Sequence, residues 1–314
     1  MKDDDFEQFL NAHKLTHKEI DLLHDFFISI KSNSYNFQLA KKAFLLFSKR
    51  MRLNPFEEQN RAKEFSAVIP LFRDVGSKFE QFGSGVLLNL SGKVFLLTAA
   101  HVFLDAKFLY FPIGNEFELA VGNSRHIVTD IHGNFFDFAY IELDIPLSSF
   151  NANKMEILSF SDLELKKMHT TIPYCVFTGY PHRKSTYSES NGDVRISSDL
   201  FEYVGLYTDD KEFYEENNCD NNLHIIMRYN LKRSTTRFGG NLRSVVTPEG
   251  ISGGGIFTSR IEIDNFKLFE NNPKLIGITS SYNKSAYAMF GTRIKCCLEF
   301  IAENYSEIRK IIST

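Results

Sequence analysis

The sequence predicts a mainly all-β protein with helices at its two ends. From about Ala67 onward, short apolar runs alternate with Gly, Pro and Asn turns, which is typical of a sandwich or barrel rather than a parallel α/β sheet. The 31 Phe and 13 Tyr, with no Trp, indicate a core packed largely by phenylalanine. The 314 residues suffice for one large domain or two medium ones.

Residues 1–66 are predicted to form a helical extension. Thr16 followed by Glu19 is typical of a capping box, and apolar residues then recur at helical spacing. A second amphipathic stretch covers about 37–51, and Asn54-Pro55 opens a third short helix. This segment contains no recognisable chemistry. We expect it either to pack on or link to the main domain, or to dock a regulatory protein partner.

The β region begins with a predicted hairpin, in which Phe82–Leu90 and Lys93–Thr98 flank a Ser91-Gly92 turn. Apolar residues near helical spacing predict a C-terminal helix at about 293–312. The other predicted strands are Phe108–Phe111, Ile127–Ile131, Phe138–Leu143, Ile172–Thr178, Leu223–Asn230, Gly255–Thr258 and Leu275–Ser280.

Composition excludes several functional classes. A net charge of −3 with scattered Lys and Arg gives no electrostatic case for a nucleic-acid or anionic-membrane partner. No stretch approaches the roughly 20 apolar residues of a membrane span. The acidic start Met1–Asp5 lacks the layout of a secretory signal, and the four cysteines do not form a disulfide framework. We therefore expect a cytoplasmic protein with reduced thiols.

Three short motifs, Thr98–His101, Asp137–Ala139 and Gly250–Gly254, carry the candidate chemistry. They supply a histidine at the end of a strand, a carboxylate at the head of another and a serine between glycines. These are the parts that convert a weak hydroxyl into an acyl-transfer nucleophile. Their order along the chain is that of the two-barrel serine peptidases.

Each motif also has a structural interpretation. A histidine after a strand is usually structural, and Asp137 could simply cap a turn. A carboxylate at the head of a buried strand needs a partner, and the His101 ring N–H would supply one. Other acidic residues could compete for the role of Asp137, but none combines a strand position with the Asp-x-Ala context: Asp105, Asp130 and Asp144.

The glycine run could be a flexible loop, but Val245-Val246 and Ile256-Phe257 on its two sides favour a tight turn between strands. Acyl transfer needs two backbone N–H groups at the developing oxyanion, and those of Gly250 and Ser252 are the natural pair. Metal-ligand spacing is missing around the cysteines and histidines, so we expect no metal site.

Together these strings resemble those of trypsin-like (chymotrypsin-fold) serine peptidases, most closely the cytoplasmic and Deg-like bacterial branch. The resemblance covers about residues 67–300. Besides the three motifs it includes Leu275–Ser280, similar to the family's substrate-backbone strand, and the Gly-Tyr-Pro turn within Val176–Pro181.

The resemblance implies two antiparallel six-stranded β-barrels, at about 67–170 and 171–292, with the site between them. It implies a serine endopeptidase acting on protein or peptide substrates without metal or organic cofactor. His101, Asp137 and Ser252 would form the triad, and the Gly250 and Ser252 N–H groups the oxyanion hole. The alternatives are a catalytically silent peptide-binding module, and the same chemistry on esters or other acyl groups.

Three departures limit the resemblance. Ile251 stands where extracellular members carry the Asp of their activation switch, so that switch cannot operate here. The cysteine frame of secreted members is absent. The connection at about 182–243 is long, and long loops are often functional or disordered.

The resemblance also indicates where the substrate side chain would bind. The positions are Val246, Ser280, Ser281 and Tyr282. Because no carboxylate stands at Val246, we expect a small or apolar side chain at the cleavage site. The basic residues between 232 and 243 either favour an acidic substrate region or are solvated loop charges.

Overall fold

The computed structural model divides into two compact units. The larger comprises residues 62–167, 175–258 and 273–314, and the smaller comprises 1–61, 168–174 and 259–272. Apart from Lys42 and Ala43, the second and third predicted N-terminal helices lie outside the described residues. The described residues are 15–31, 42–43, 63–76, 78–106, 108–114, 116–131, 134–166, 174–182, 185–190, 193–229, 246–258, 261–264, 267–270 and 272–312.

The smaller unit contains helix α1, His17–Lys31, and a hairpin of the strands Ile261–Asp264 and Lys267–Glu270. The Thr16 N–H and hydroxyl both donate to the Glu19 carboxylate at 2.9 Å, so the predicted N-terminal capping pair is present. Leu23 and Phe26 of α1 are buried. Among the described helices of the whole chain, none is both long and apolar enough to cross a membrane.

The larger unit is built on two sheets. The strands of the first sheet are β1 Val68–Asp74, β2 Phe79–Leu90, β3 Lys93–Thr98, β4 Tyr110–Ile113, β5 Glu116–Leu119, β6 Gly122–Ile131, β7 Asn134–Leu143 and β8 Leu158–Ser159. These eight strands are arranged in the order β5-β4-β1-β2-β3-β7-β6 with β8 parallel to β2, and all the other pairings are antiparallel.

The hairpin of the smaller unit is numbered β15 and β16. The other strands are β9 Tyr174–Gly179, β10 Ser185–Ser190, β11 Asp193–Ser198, β12 Phe201–Leu206, β13 His224–Arg228, β14 Gly255–Thr258, β17 Leu275–Asn283 and β18 Ala288–Arg293. Six of them form the second sheet, in the order β12-β9-β14-β17-β18-β13, and β10 and β11 form a separate antiparallel pair.

These sheets confirm the predicted mainly antiparallel β class. Among the described residues, the second sheet has six strands, as expected, and the first has eight where six are expected. The predicted hairpin is present: Ser91 and Gly92 have φ of 54° and 84°, the mirror-image turn that suits the twist of two antiparallel strands.

The expected C-terminal helix is present as two helices, because Tyr305 is extended (φ −132°, ψ 97°) and ends the first of them. One core cluster contains Cys297 and Leu298 of the first C-terminal helix together with Phe138 of β7 and Phe257 of β14. The helices of the larger unit are α2 Ala100–Leu104, α3 Leu147–Ala152, α4 Lys211–Glu216, α5 Ile294–Asn304 and α6 Ser306–Ile312.

His224 links the two sheets. Its side chain is buried at the start of β13, and Nε2 lies 2.8 Å from the Phe135 carbonyl oxygen on β7. Nδ1 lies 3.0 Å from both the backbone nitrogen and the carbonyl oxygen of Asp220, and the neutral ring with its proton on Nε2 accepts from that N–H while it donates to Phe135. Burial lowers the pKa of His224 below the ordinary 6.5, although the Asp220 and Phe135 carbonyls oppose the shift.

We expect His224 to make the fold sensitive to acid. With its pKa lowered by folding, the unfolded chain binds the proton more readily. Its contribution is complete above pH 6.5 and is lost as the pH falls from there towards the folded pKa, at up to about 1.4 kcal/mol per pH unit.

Urea unfolding of the wild type and of His224→Gln measures this loss of stability with falling pH. Glutamine keeps a hydrogen-bond donor but does not titrate. The free energy of unfolding of the wild type minus that of the variant should decrease as the pH falls from about 7.5 to about 5.5. Other titrating groups cancel in this difference. A difference that is constant with pH would contradict the assignment.

Candidate active site

Strand pairing brings His101 and Asp137 together. β3 pairs with β7 in a register that sets Thr98 opposite Ala139. Continued past the end of β3, this register puts Asp137 opposite Ala100, the first residue of α2. His101 is the next residue, so the imidazole and the carboxylate meet at one end of the sheet.

Both oxygens of Asp137 bind His101. Oδ2 lies 2.8 Å from Nδ1, and Oδ1 accepts from the His101 backbone N–H at 3.2 Å. The Asp137 side chain is 5% exposed, whereas that of His101 is 43% exposed. Because a carboxylate only accepts, Nδ1 carries the ring proton, and Nε2 is left as the basic nitrogen.

Two opposing effects set the pKa of His101. Burial lowers it, but the hydrogen bond to Asp137 and the attraction of the Asp137 and Asp105 carboxylates raise it by more. The net result is a pKa above the ordinary value of 6.5.

The glycine run forms a tight turn, as expected. Gly250 and Gly253 have φ of 94° and 85°, in the left-handed region that favours glycine. Gly254 N–H donates to the Ile251 carbonyl at 2.9 Å. A Cβ at Gly253 would collide with the Ser84 carbonyl oxygen and the Thr98 hydroxyl, so the turn lies against β2 and β3.

This packing places Ser252 close to the His101 helix. The Ser84 N–H donates to the Ser252 carbonyl at 2.8 Å. A Cβ built on Gly83 would be 3.3 Å from that same carbonyl oxygen and 2.9 Å from Cγ1 of Val102. Ser252 and the residue next to His101 therefore approach one glycine of β2.

The structure thus joins His101 to Asp137 and places the Ser252 backbone near them. Within the described part of the chain, the Ser252 hydroxyl makes no hydrogen bond, so its bond to His101 is not formed. Such contacts are often long before a substrate is bound. Among the same residues, the N–H groups of Gly250 and Ser252 donate no hydrogen bond.

The expected substrate-binding residues lie mainly on β17. Ser280 is buried and Ser281 is exposed, and the buried hydroxyls of Ser280 and Tyr282 have no partner among the described residues. An open surface depression of about 720 Å³ lies at the end of this strand. It is lined by Ser281, Tyr282, Asn283, Lys284, Ser285 and Tyr287.

Val246 does not line this depression. Its carbonyl accepts from the Tyr203 hydroxyl at 3.2 Å. The Tyr203 ring contacts that of Tyr229 at 5.4 Å between centroids, and Tyr229 contacts Tyr282 at 6.4 Å. A row of three tyrosines therefore connects Val246 to β17.

The cysteines do not offer an alternative nucleophile. All four are free of disulfides, and burial raises the pKa of every one of these thiols: Cys175, Cys219, Cys296 and Cys297. A raised pKa disfavours the thiolate that nucleophilic attack requires. Across the described ranges, no three His, Cys, Asp or Glu side chains cluster as metal ligands.

The sequence analysis missed Gln81 and gave Ser84 no role. Gln81 is 2% exposed, and its amide nitrogen donates to backbone carbonyls that include that of Gly250. The Ser84 hydroxyl donates to the Gly250 carbonyl at 3.1 Å. A glutamine before a Gly-Ser-Gly string has no motif attached to it, so only the fold reveals this contact.

No protein-family profile and no curated protein matches the sequence. Among solved structures, the chain is similar to kallikrein-related peptidase 10, with 16% identity and a TM-score of 0.46 over 77% of this chain and 96% of that one. It is also similar to the scabies mite inactivated protease paralogue S-D1, with 15% identity and a TM-score of 0.49 over 78% and 95%.

A third similar structure is the protease Anisep from Arthrobacter nicotinovorans, with 15% identity and a TM-score of 0.44 over 74% of this chain and 91% of that one. With TM-scores below 0.5 in all three cases, these similarities assign no activity to this chain.

The pKa of His101 should fall below 6.5 in Asp137→Asn, because the attraction is removed and the effect of burial remains. NMR titration of the imidazole protons measures it. Asp105→Asn is the matched control and should lower the pKa less, since Asp105 forms no hydrogen bond with the ring. Equal shifts in the two variants would contradict the role given to Asp137.

Gly253→Ala should destabilise the fold far more than Gly92→Ala. Both glycines have φ near 85°, and Gly92 has nothing within 4 Å of an added Cβ. Gly92→Ala should therefore lose only the left-handed strain, about 1–2 kcal/mol. Gly253→Ala should lose about 3 kcal/mol or more, because the methyl group also displaces Ser84 and Thr98. Urea unfolding measures both, and equal losses would contradict the close packing of the turn.

Proposed function

We propose that this chain is a serine endopeptidase of the trypsin-like type, which hydrolyses peptide bonds through an acyl-enzyme. The observation that carries the proposal is the buried Asp137 carboxylate, with both oxygens bound to His101. That arrangement fixes the ring tautomer and leaves Nε2 as a base. The approach of the Ser252 carbonyl and of Val102 to Gly83 adds a nucleophile in the same neighbourhood.

In the proposed reaction, His101 Nε2 takes the proton from the Ser252 hydroxyl as Oγ attacks the scissile carbonyl. The resulting oxyanion accepts hydrogen bonds from the Gly250 and Ser252 N–H groups. The imidazolium then protonates the leaving amine. Water repeats the sequence on the acyl-enzyme, giving its proton to His101 and releasing the acid and the free serine.

The finer parts of the proposal rest on the sequence alone. They are the bacterial, Deg-like and cytoplasmic assignments, the preference for a small or apolar side chain, and a regulatory partner bound through residues 1–66. The depression at the end of β17 adds a constraint on the substrate. It presents tyrosine, hydroxyl and amide groups with one lysine, Lys284, so its lining is not purely apolar.

A catalytically silent peptide-binding module is the second candidate. The observation in its favour is that, among the described residues, the Ser252 hydroxyl is not hydrogen-bonded to His101. The two candidates differ in a single measurable property, the nucleophilicity of Ser252.

A fluorophosphonate probe and a quenched peptide library decide between them. The wild type should react with the probe and cleave peptides. Ser252→Ala should lose the labelling and about 10⁴–10⁶-fold in kcat. Ser306→Ala is the control, since this exposed serine begins α6 and should leave both signals unchanged. An unlabelled, folded wild type would favour the binding module.

The pH profile gives a second test. Because His101 must be neutral to act as a base and its pKa is raised, kcat/KM should increase with pH through a midpoint above 6.5. In Asp137→Asn, kcat should fall by about 10⁴-fold, because the ring tautomer is no longer fixed. A midpoint below 6.5 in the wild type would contradict His101 as the base.

A further inference from the structure

The turn that carries Ser252 has three consecutive peptide carbonyls, and each has a donor. The Glu249 carbonyl accepts from the His182 N–H at 2.8 Å. The Gly250 carbonyl accepts from the Ser84 hydroxyl at 3.1 Å and the Gln81 amide at 3.3 Å. The Ile251 carbonyl accepts from the Gly254 N–H at 2.9 Å.

These bonds determine where the N–H groups of Gly250 and Ser252 point. In a trans peptide the N–H is antiparallel to the C=O of the same unit. Holding the Glu249 carbonyl therefore orients the Gly250 N–H, and holding the Ile251 carbonyl orients the Ser252 N–H. The middle peptide, between Gly250 and Ile251, links the two and sets their relative direction.

Among the described residues, this middle peptide is the one whose carbonyl is held by side chains, and its own N–H, that of Ile251, donates to the Pro248 carbonyl at 3.2 Å. Ser84 is fully buried on β2 and accepts from the Tyr180 N–H at 2.9 Å while it donates to Gly250. Its backbone N–H also holds the Ser252 carbonyl. One residue of β2 thus binds both ends of the Gly250–Ser252 tripeptide.

Gln81 reinforces the same peptide. Its amide nitrogen faces three backbone carbonyls, those of Gly83, Tyr180 and Gly250, so the amide orientation is well determined. Its Oε1 is buried without a partner among the described residues. A buried polar atom without a partner is destabilising, so Gln81 is not optimal for stability alone.

The residue between the two donors carries no charge. Ile251 is 1% exposed, and a Cβ on Gly179 would lie 2.8 Å from its Cβ. An apolar side chain packed in this way cannot form an ion pair with a charged N-terminus, so no such pair can order the turn. The order must come from the surrounding hydrogen bonds.

We infer that Gln81 and Ser84 are positioning residues, which hold the Gly250 and Ser252 N–H groups in place in the uncut chain. This inference rests on the proposed peptidase function. The two side chains act through the Gly250 carbonyl and do not touch the substrate. No cleavage of the chain is then required for activity.

The test compares Gln81→Met, Ser84→Ala and the double variant with the wild type, as full-length chains. Rates are expressed per active site titrated with a chromogenic ester, so that unfolded molecules do not count. The double variant should lose about 10- to 100-fold in kcat with KM changed less than about threefold, because the oxyanion donors matter mainly in the transition state. Each single variant should lose less.

A peptide aldehyde supplies a second readout. Its hemiacetal oxygen occupies the position of the oxyanion, so its inhibition constant should rise by about the same factor as kcat falls. Thr258→Val is the matched control. It removes a buried hydroxyl that accepts the Lys274 N–H at 2.9 Å, and it should alter thermal stability without altering kcat or aldehyde binding.

Intact-mass analysis after fluorophosphonate labelling tests the uncut state. The labelled species should have the mass of the whole expressed chain plus one adduct. Labelling confined to a shortened chain would overturn the inference, and so would a double variant with unchanged kcat and aldehyde affinity. If the wild type and every variant showed neither turnover nor aldehyde binding, the proposed function itself would be contradicted instead.

Discussion

The contact between the glycine turn and β2 is the constraint on which the rest of the site depends. Asp137 lies on β7 and His101 in the helix that follows β3 of the same sheet, whereas Ser252 precedes β14 of the other sheet, so nothing local in the chain brings them together. The Ser84 N–H bond to the Ser252 carbonyl fixes that approach. It can form only because Gly253 has no side chain to collide with the Ser84 carbonyl. The proposed catalysis would tolerate errors of about half an ångström, so it requires this contact to be rigid.

The His101–Asp137 pair adds a second constraint, this time electrostatic. A carboxylate with 5% exposure has lost most of its hydration, and an isolated buried charge would be strongly destabilising. The ring N–H and backbone N–H of His101 replace that hydration at both carboxylate oxygens. The pair therefore stabilises a buried charge and orients a base with the same two hydrogen bonds. The exposed remainder of the ring faces solvent.

The elements with strong local patterns were predicted well from the sequence, and those set by long-range contacts were not. The bounds of β3 and β14 match the prediction because alternating or β-branched residues end there at clear turn signals. Strand β1 was missed, since Pro70 argues against a strand and the pairing shifts register just after it. The break at Tyr305 was also missed, because Ile308 and Ile311 continue the helical spacing past it.

The same distinction between local patterns and long-range contacts separates the three proposed catalytic residues from the residues that hold the turn. The proposed catalytic residues His101, Asp137 and Ser252 are readable in the sequence because the proposed chemistry needs a specific side chain in a specific local context at each position. Gln81 could not be found in this way. It acts on a backbone carbonyl 169 positions away, and any donor of the right length would serve. A turn whose own residues are glycines and a buried isoleucine has no polar side chain with which to order itself. The turn makes backbone bonds of its own, from the Ile251 N–H to the Pro248 carbonyl and from the Gly254 N–H to the Ile251 carbonyl. Side-chain donors come from a neighbouring strand, and that contribution makes it tolerable that Oε1 of Gln81 has no partner among the described residues.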